Sequence, residues 1–317
     1  MKDAIGNPAW PDIPYPAWAP TCQALHLFTQ VIGKYRLART PWVNHSWHAT
    51  LYVGARGLVT GPIPDGPNGV EIAFDLVDHR LIGHGGDGRT ESFALEPMSV
   101  AEFHRRFIAL VTRLGGDARF HGVPSEIADA VPFEQDVAPR PYDRDAVARF
   151  FRALVSITAT FQTFRTSFLG KVSPVHLFWG SFDLAVTRFS GRRAPIHPGG
   201  VPGLPDDVTR EAYSHEVSSA GFWPGGGLVD HPAFYSYAYP APAGFAAAQV
   251  APEGAYFHEQ LGEFVLPYDV VRNAPDPAAA LLAFLRSTYR AAADLGAWDV
   301  AQLECREGAP GVVRPLG

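Results

Sequence analysis

The span Ser173–Gly227 constrains this chain most. It runs from an apolar stretch, HLFWGSFDLAVTRFSG, into HPGGVPGLPDD and then SHEVSSAGFWPGGG. The first part alternates like a half-buried strand. The prolines and glycines that follow break regular structure and predict a long shaped loop over 191–233, of the kind that forms a site or caps a cleft. Within the strand, Asp183 sits between Phe182 and Leu184, where an unpaired carboxylate is costly. Arg188, Arg56 or a histidine are its candidate partners.

The preceding residues set up the same arrangement. Proline spacing from Pro8 to Pro20 predicts an extended arm anchored by Trp10, Tyr15 and Trp18. Thr21 then caps a helix that runs to about Ala38. NHSWHATLYVGARGLVT reads as one long strand, and EIAFDLVDHRLIGHGGDGRTESFAL as a hairpin with GHGGDG as its loop. Ser99 caps a second helix, stopped at Gly115-Gly116. A short strand, DARFHGV, and a proline-rich connection lead to the longest helix, which opens at Asp143 or Asp145 and ends at Gly170. After the long loop come strands AFYSYAYP and GEFVLPYDVV, then a last helix closed by Gly296.

Helix, long strand, shorter strands, helix is therefore expected twice. Shifting by 131 positions lays His45 on His176 and Leu51 on Phe182. The expected fold is α+β: two pseudo-repeated helix-strand-strand-strand-helix halves, residues 1–140 and 141–317, with antiparallel sheets facing across a cleft and helices outside. On this reading His48, Thr50, Tyr52 and Arg56 face Trp179, Ser181, Asp183 and Thr187.

Composition excludes several functions. A net charge of −6 and pI near 6.0 argue against nucleic-acid binding, which calls for a basic face. No apolar run approaches the roughly 20 residues that cross a bilayer, and the proline-broken N-terminus lacks a signal-peptide core. Two distant cysteines, Cys22 and Cys305, predict no disulfide framework and a reducing, cytoplasmic setting. With 31 Gly, 29 Pro and 21 Phe, the chain favours shaped, ordered loops over disorder.

The candidate chemistry is a His-plus-carboxylate set drawn from different segments, as a divalent metal such as zinc or iron requires. His48, His176 and His215 are the candidate ligands, with Glu216 or Asp183 handling protons. His48 and His45 lie three apart and point to opposite faces of a regular strand. His176, on the apolar face, is equally a structural histidine. No HExxH spacing, phosphate loop or GxSxG elbow is present. Trp179 and Trp223, with Tyr235, Tyr237 and Tyr239, are candidates for an aromatic wall. Tyr52, Arg56 and Arg188 are candidates for substrate binding, with Arg192 and Arg193 completing a small basic cluster.

WVNHSWHATLYVGARGL, PVHLFWGSFDLAVTRFSGR, HPGGVPGLP and EAYSHEVSSAGFWPGGG together resemble a bacterial family known as domain of unknown function 5996, from about Trp10 to Trp298. The resemblance implies an intact soluble protein and brings no activity or catalytic residue. Two functions remain open: a metal-assisted enzyme, hydrolase or oxidoreductase, acting on a small molecule in the cleft, or a metal-free binding or sensor protein that captures a small ligand against the aromatic residues.

Overall fold

Helix α1 (Tyr15–Arg39) begins ahead of Thr21. The structure, a computed structural model describing residues 7–314, carries Pro16 in the first turn, where an N–H has no helical partner anyway. Pro20 removes one helical hydrogen bond. Burial of Trp18, packed on Phe150 at 5.0 Å, offsets that loss, so the expected extended arm stops short of Tyr15.

The predicted strand over residues 44–60 is two strands. A single 3-10 turn, Asn44–Ser46, with His45 and Ser46 at φ 60° and 57°, precedes β1 (Tyr52–Gly54) and β2 (Gly57–Ile63). Gly57 makes the hairpin possible. Its φ is 152°, and a Cβ there would lie 1.8 Å from the Phe74 carbonyl oxygen. Next come β3 (Val70–Asp75), β4 (Arg80–Gly85) and β5 (Thr90–Ala94). The expected single hairpin is thus a three-strand meander. Its extra turn is built by Asp75, whose Oδ1 accepts from the amides of Val77 and Asp78. Helix α2 (Val100–Arg113) is capped as its sequence predicts, with Glu102 N donating to Ser99 Oγ at 3.1 Å. Residues 117–123, read as a strand, form none.

Helix α3 (Arg144–Arg165) starts at its Asp143 cap. The second long strand is again a hairpin: β6 (His176–Phe178), a turn with Phe182 at φ 58°, and β7 (Asp183–Arg193). The span 191–233 is not a plain loop. It holds a short helix α4 (Asp206–Ala212) and a full strand β8 (His215–Trp223). SHEVSSAGFW escapes recognition because β8 lies between two neighbours and is buried on both faces, so its small residues show no alternation. Then follow β9 (Ala233–Tyr239), β10 (Tyr256–His258), β11 (Glu263–Pro267), α5 (Tyr268–Arg272), α6 (Pro277–Leu295) and α7 (Val300–Leu303).

The fold is α+β, with two antiparallel sheets ordered β1-β2-β3-β4-β5 and β10-β11-β9-β8-β7-β6. They meet edge to edge: Leu51 and Leu177 exchange both backbone hydrogen bonds, at 2.9 and 2.7 Å. His45 lies in the 3-10 turn while His176 opens β6, so the 131-residue shift does not bring these two into equivalent places. Helices α1 and α2 cover one face of the first sheet, with Phe28 stacked on Phe103 at 4.3 Å. Helices α3, α5 and α6 pack against strands of the second. Cys22 and Cys305 are free, and among the described residues no helix is long and apolar enough to cross a membrane.

Candidate functional site

Strand alternation gives the second sheet a face of its own. Asp183, Ala185, Thr187 and Phe189 of β7 share it with Val217, Ser219 and Trp223 of β8 and Tyr235 and Tyr237 of β9. The β9–β11 register sets Glu263 opposite Tyr237. This face floors a cavity of about 460 Å³, a size that suits a small organic ligand.

Segments remote in sequence roof the cavity. The 3-10 turn places His45, Ser46 and Trp47 along one rim, and the stretch Val201–Tyr213 with α4 closes the top. The roof is tied at several points. His45 N donates to Glu211 Oε2 at 2.8 Å, and the His45 ring bonds the Ala212 carbonyl at 2.8 Å. The Tyr213 and Tyr237 hydroxyls meet at 3.0 Å, and Glu126 N donates to the Gly203 carbonyl at 3.2 Å. Lys171 Nζ donates to His45 Nε2 at 2.6 Å. Burial holds the His45 ring below the usual imidazole range, with Lys171 adding to the effect, so it is neutral.

Asp183 finds its partners inside the cavity. Its Oδ1 accepts from Ser181 Oγ at 2.5 Å and its Oδ2 from the Tyr235 hydroxyl. Burial pushes its carboxyl up, and those two bonds oppose the rise. Two more carboxyls face the same space. Glu263 is pushed up to about 8, first by burial and then by Asp183. Glu126 is pushed up to about 7 by the same causes, opposed by Lys34. Its carboxylate lies against the Gly180 backbone, where a Cβ would meet Oε1 at 2.0 Å. Glu126 remains open to water while protein surrounds it on most sides, so water in the cavity screens it more than Glu263. Lys34, from α1, donates to Ser125 Oγ at 2.7 Å.

The aromatic walls are fixed by close packing. Trp179 Nε1 donates to the Ala49 carbonyl at 2.7 Å. Trp223 stacks on Tyr235 at 4.4 Å, and Tyr235 on Tyr237 at 6.1 Å. Tyr239 leaves the row; its hydroxyl donates to the Pro195 carbonyl. A second cavity of about 430 Å³ adjoins the first, sharing Glu126, Gly180, Ser181 and Trp223 and lined beyond them by His26 and the Pro224–Val229 turn.

Of the residues singled out from sequence, Asp183, Trp179, Trp223, Tyr235 and Tyr237 meet at this cavity, with His45, Ser181 and Thr187. The remaining candidates lie elsewhere. Arg56, at a hairpin tip, pairs with Asp75 at 2.7 Å and Asp78 at 2.6 Å. Tyr52 packs under the Arg36 guanidinium. Arg188 alternates to the opposite face of β7, where its guanidinium lies over the rings of Phe164, Phe168 and Tyr289. Glu216 also points away from the cavity floor and is bound by Arg192 at 2.6 Å and Ser190 Oγ at 2.8 Å.

The three candidate ligands do not converge either. His48 Nδ1 accepts from Val43 N at 3.2 Å. His176 is fully buried against Thr50 Oγ1 at 3.1 Å. His215 bonds Ser214 Oγ at 3.1 Å, with its ring 6.4 Å from that of His45. Among the described residues no three His, Cys, Asp or Glu side chains are grouped to hold a metal ion. His48 follows the 3-10 turn instead of lying in a strand, and His176 and His215 open two strands, β6 and β8, that β7 separates.

Glu126, Glu263 and Lys34 were missed. Lys34 within VIGKY and Glu263 ahead of FVL each place an ionisable residue in an apolar run, the same signal that marks Asp183. Glu126 gives no such signal, since its place depends on the fold of an irregular connection.

No curated protein and no solved structure matches the chain. A family of unknown function (DUF5996) matches residues 10–305, nearly the whole chain, and the protein belongs to that family.

Proposed function

We propose that this protein binds a small organic molecule in the cavity on the inner face of the second sheet, held between the aromatic walls of Trp179, Trp223 and Tyr237. The observation that carries the reading is the construction of that cavity. A sheet face that could have packed on a helix is instead left hollow, walled by aromatic side chains and roofed by ties to distant segments. Such concave, mostly apolar spaces with a few convergent polar groups are where proteins hold small ligands.

A second reading, an enzyme using the same cavity, is supported by one specific feature. Glu126 and Glu263, pushed up to about 7 and about 8, would exchange protons near neutrality, as a general acid or base must.

The test is a fragment screen by ligand-observed NMR on the wild type and on Ala185→Trp, which places an indole on the cavity floor. Hits lost in the variant, with folding verified by circular dichroism, support the reading. Hits that persist, or a wild type that binds no fragment, sink it. Leu204→Trp fills the cavity from the roof if the floor variant does not fold.

A further inference from the structure

We propose that the cavity selects a cationic ligand: an organic amine whose ammonium faces Asp183, Glu126 and Glu263 while its aromatic or aliphatic body lies against the tryptophan and tyrosine rings. This rests on the small-molecule reading above and adds the ligand's charge.

The charges lining the cavity are uneven. Among the described residues, Asp183, Glu126 and Glu263 contribute three carboxyls to the lining, against the single ammonium of Lys34. Among the described residues no arginine lines the space, and the His45 ring is neutral, with the Lys171 ammonium behind it at 2.6 Å from Nε2. A cation in the space favours ionisation of these carboxyls, whereas an anion opposes it and gains only Lys34 on the lining and Lys171 behind His45. Lys34 is also partly engaged, donating to Ser125 Oγ.

The carboxyls do not satisfy one another. Asp183 has donors on both oxygens, but Glu263 Oε2 is shut off from solvent and has no hydrogen-bond partner among the described residues. A buried polar atom left open in this way costs stability until a partner arrives. An ammonium brings up to three N–H donors with a positive charge.

The walls fit the same ligand. The negative faces of indole and phenol rings attract cations, and desolvation inside a cavity strengthens that attraction. Trp179 already has the Lys34 ammonium 5.8 Å from its ring centre, so this wall accommodates positive charge.

The experiment titrates the wild-type protein calorimetrically with 2-phenylethylamine, 2-phenylethanol and phenylacetate, one ring body carrying three charges. The amine is expected to bind at least about tenfold more tightly than the alcohol, with the carboxylate weakest. Glu263→Gln should remove most of the amine's advantage while leaving the alcohol unchanged. Glu126→Gln, on an open loop, serves if the first variant does not fold. An alcohol or carboxylate that binds as tightly as the amine overturns the charge preference and leaves the small-molecule reading standing. Binding by none of the three also overturns it, and the fragment screen then judges the cavity separately. An amine preference unchanged in both glutamine variants would show that these carboxyls do not create it.

Discussion

The Trp179 indole occupies the space that a side chain on Gly33 would need: a Cβ at Gly33 would fall 2.2 Å from the ring. Helix α1 therefore forms the backing of the cavity's tryptophan wall. Gly33→Ala sets two effects against each other. Helix propensity favours alanine by about 1 kcal/mol, whereas forcing a methyl into a packed wall typically costs about 1–3 kcal/mol. The clash should win, giving a net loss of stability in urea unfolding and a shifted tryptophan emission. A variant more stable than the wild type with unchanged emission would contradict this packing.

Asp183 and Tyr235 should behave as a unit. Tyr235 lies across Gly221, where a Cβ would meet its hydroxyl at 2.3 Å, and its hydroxyl donates to the buried carboxylate. Tyr235→Phe should cost about 1–3 kcal/mol, because one carboxylate oxygen loses its donor. In a double-mutant cycle with Asp183→Asn the two losses should be less than additive. Strict additivity would mean that the hydroxyl and the carboxylate do not interact.

Two buried groups tie stability to pH in opposite directions. Glu263, raised to about 8 in the folded chain, keeps a proton that the unfolded chain releases above its ordinary value near 4.5. Its ionisation therefore weakens the fold progressively from about pH 4.5 to about pH 8 and no further above that. Glu263→Gln should leave stability unchanged near pH 4 and raise it relative to wild type at pH 8.5. Equal midpoints of unfolding at both pH values would argue that Glu263 is not held off its ordinary titration.

His176 acts the other way. Burial depresses it to about 3, with Arg165 and Arg36 adding to the effect. The unfolded chain takes up a proton below about 6.5 that the folded chain refuses. Stability is thus intact above pH 6.5 and is lost as pH falls toward 3. His176→Phe should lose the Thr50 bond at pH 7 but show a flatter decline between pH 6.5 and 4. A decline as steep as that of the wild type would place the acid sensitivity elsewhere.

Arg188 tests a reassigned residue. It is buried with its guanidinium 3.6 Å from the Phe164 ring centre and 4.3 Å from that of Tyr289, and it has no carboxylate in salt-bridge range among the described residues. Burial lowers it to about 10. A lysine cannot reproduce this planar stacking, so Arg188→Lys should destabilise the protein by about 2 kcal/mol or more, and Arg188→Met by less. Ligand binding by any variant that folds should be unchanged, since Arg188 lies on the face away from the cavity.

What the chain's own letters settled was local. Ser99 caps its helix, and Asp143, of the two candidates Asp143 and Asp145, caps the other, because a side-chain oxygen meets amides two or three residues on. Asp183 stood out because a carboxylate in an apolar run needs a partner wherever the run is buried. Alternation likewise placed Asp183 and Thr187 on one face of β7 from backbone geometry alone. Tertiary structure decided everything that joins distant segments. It turned two apparent strands into hairpins, moving Arg56 to a tip. It lifted Glu126 to the cavity from an irregular connection, and it hung the Val201–Tyr213 roof from His45 and Tyr237. Those contacts depend on which backbone passes close to which, and no spacing along the chain encodes that distance.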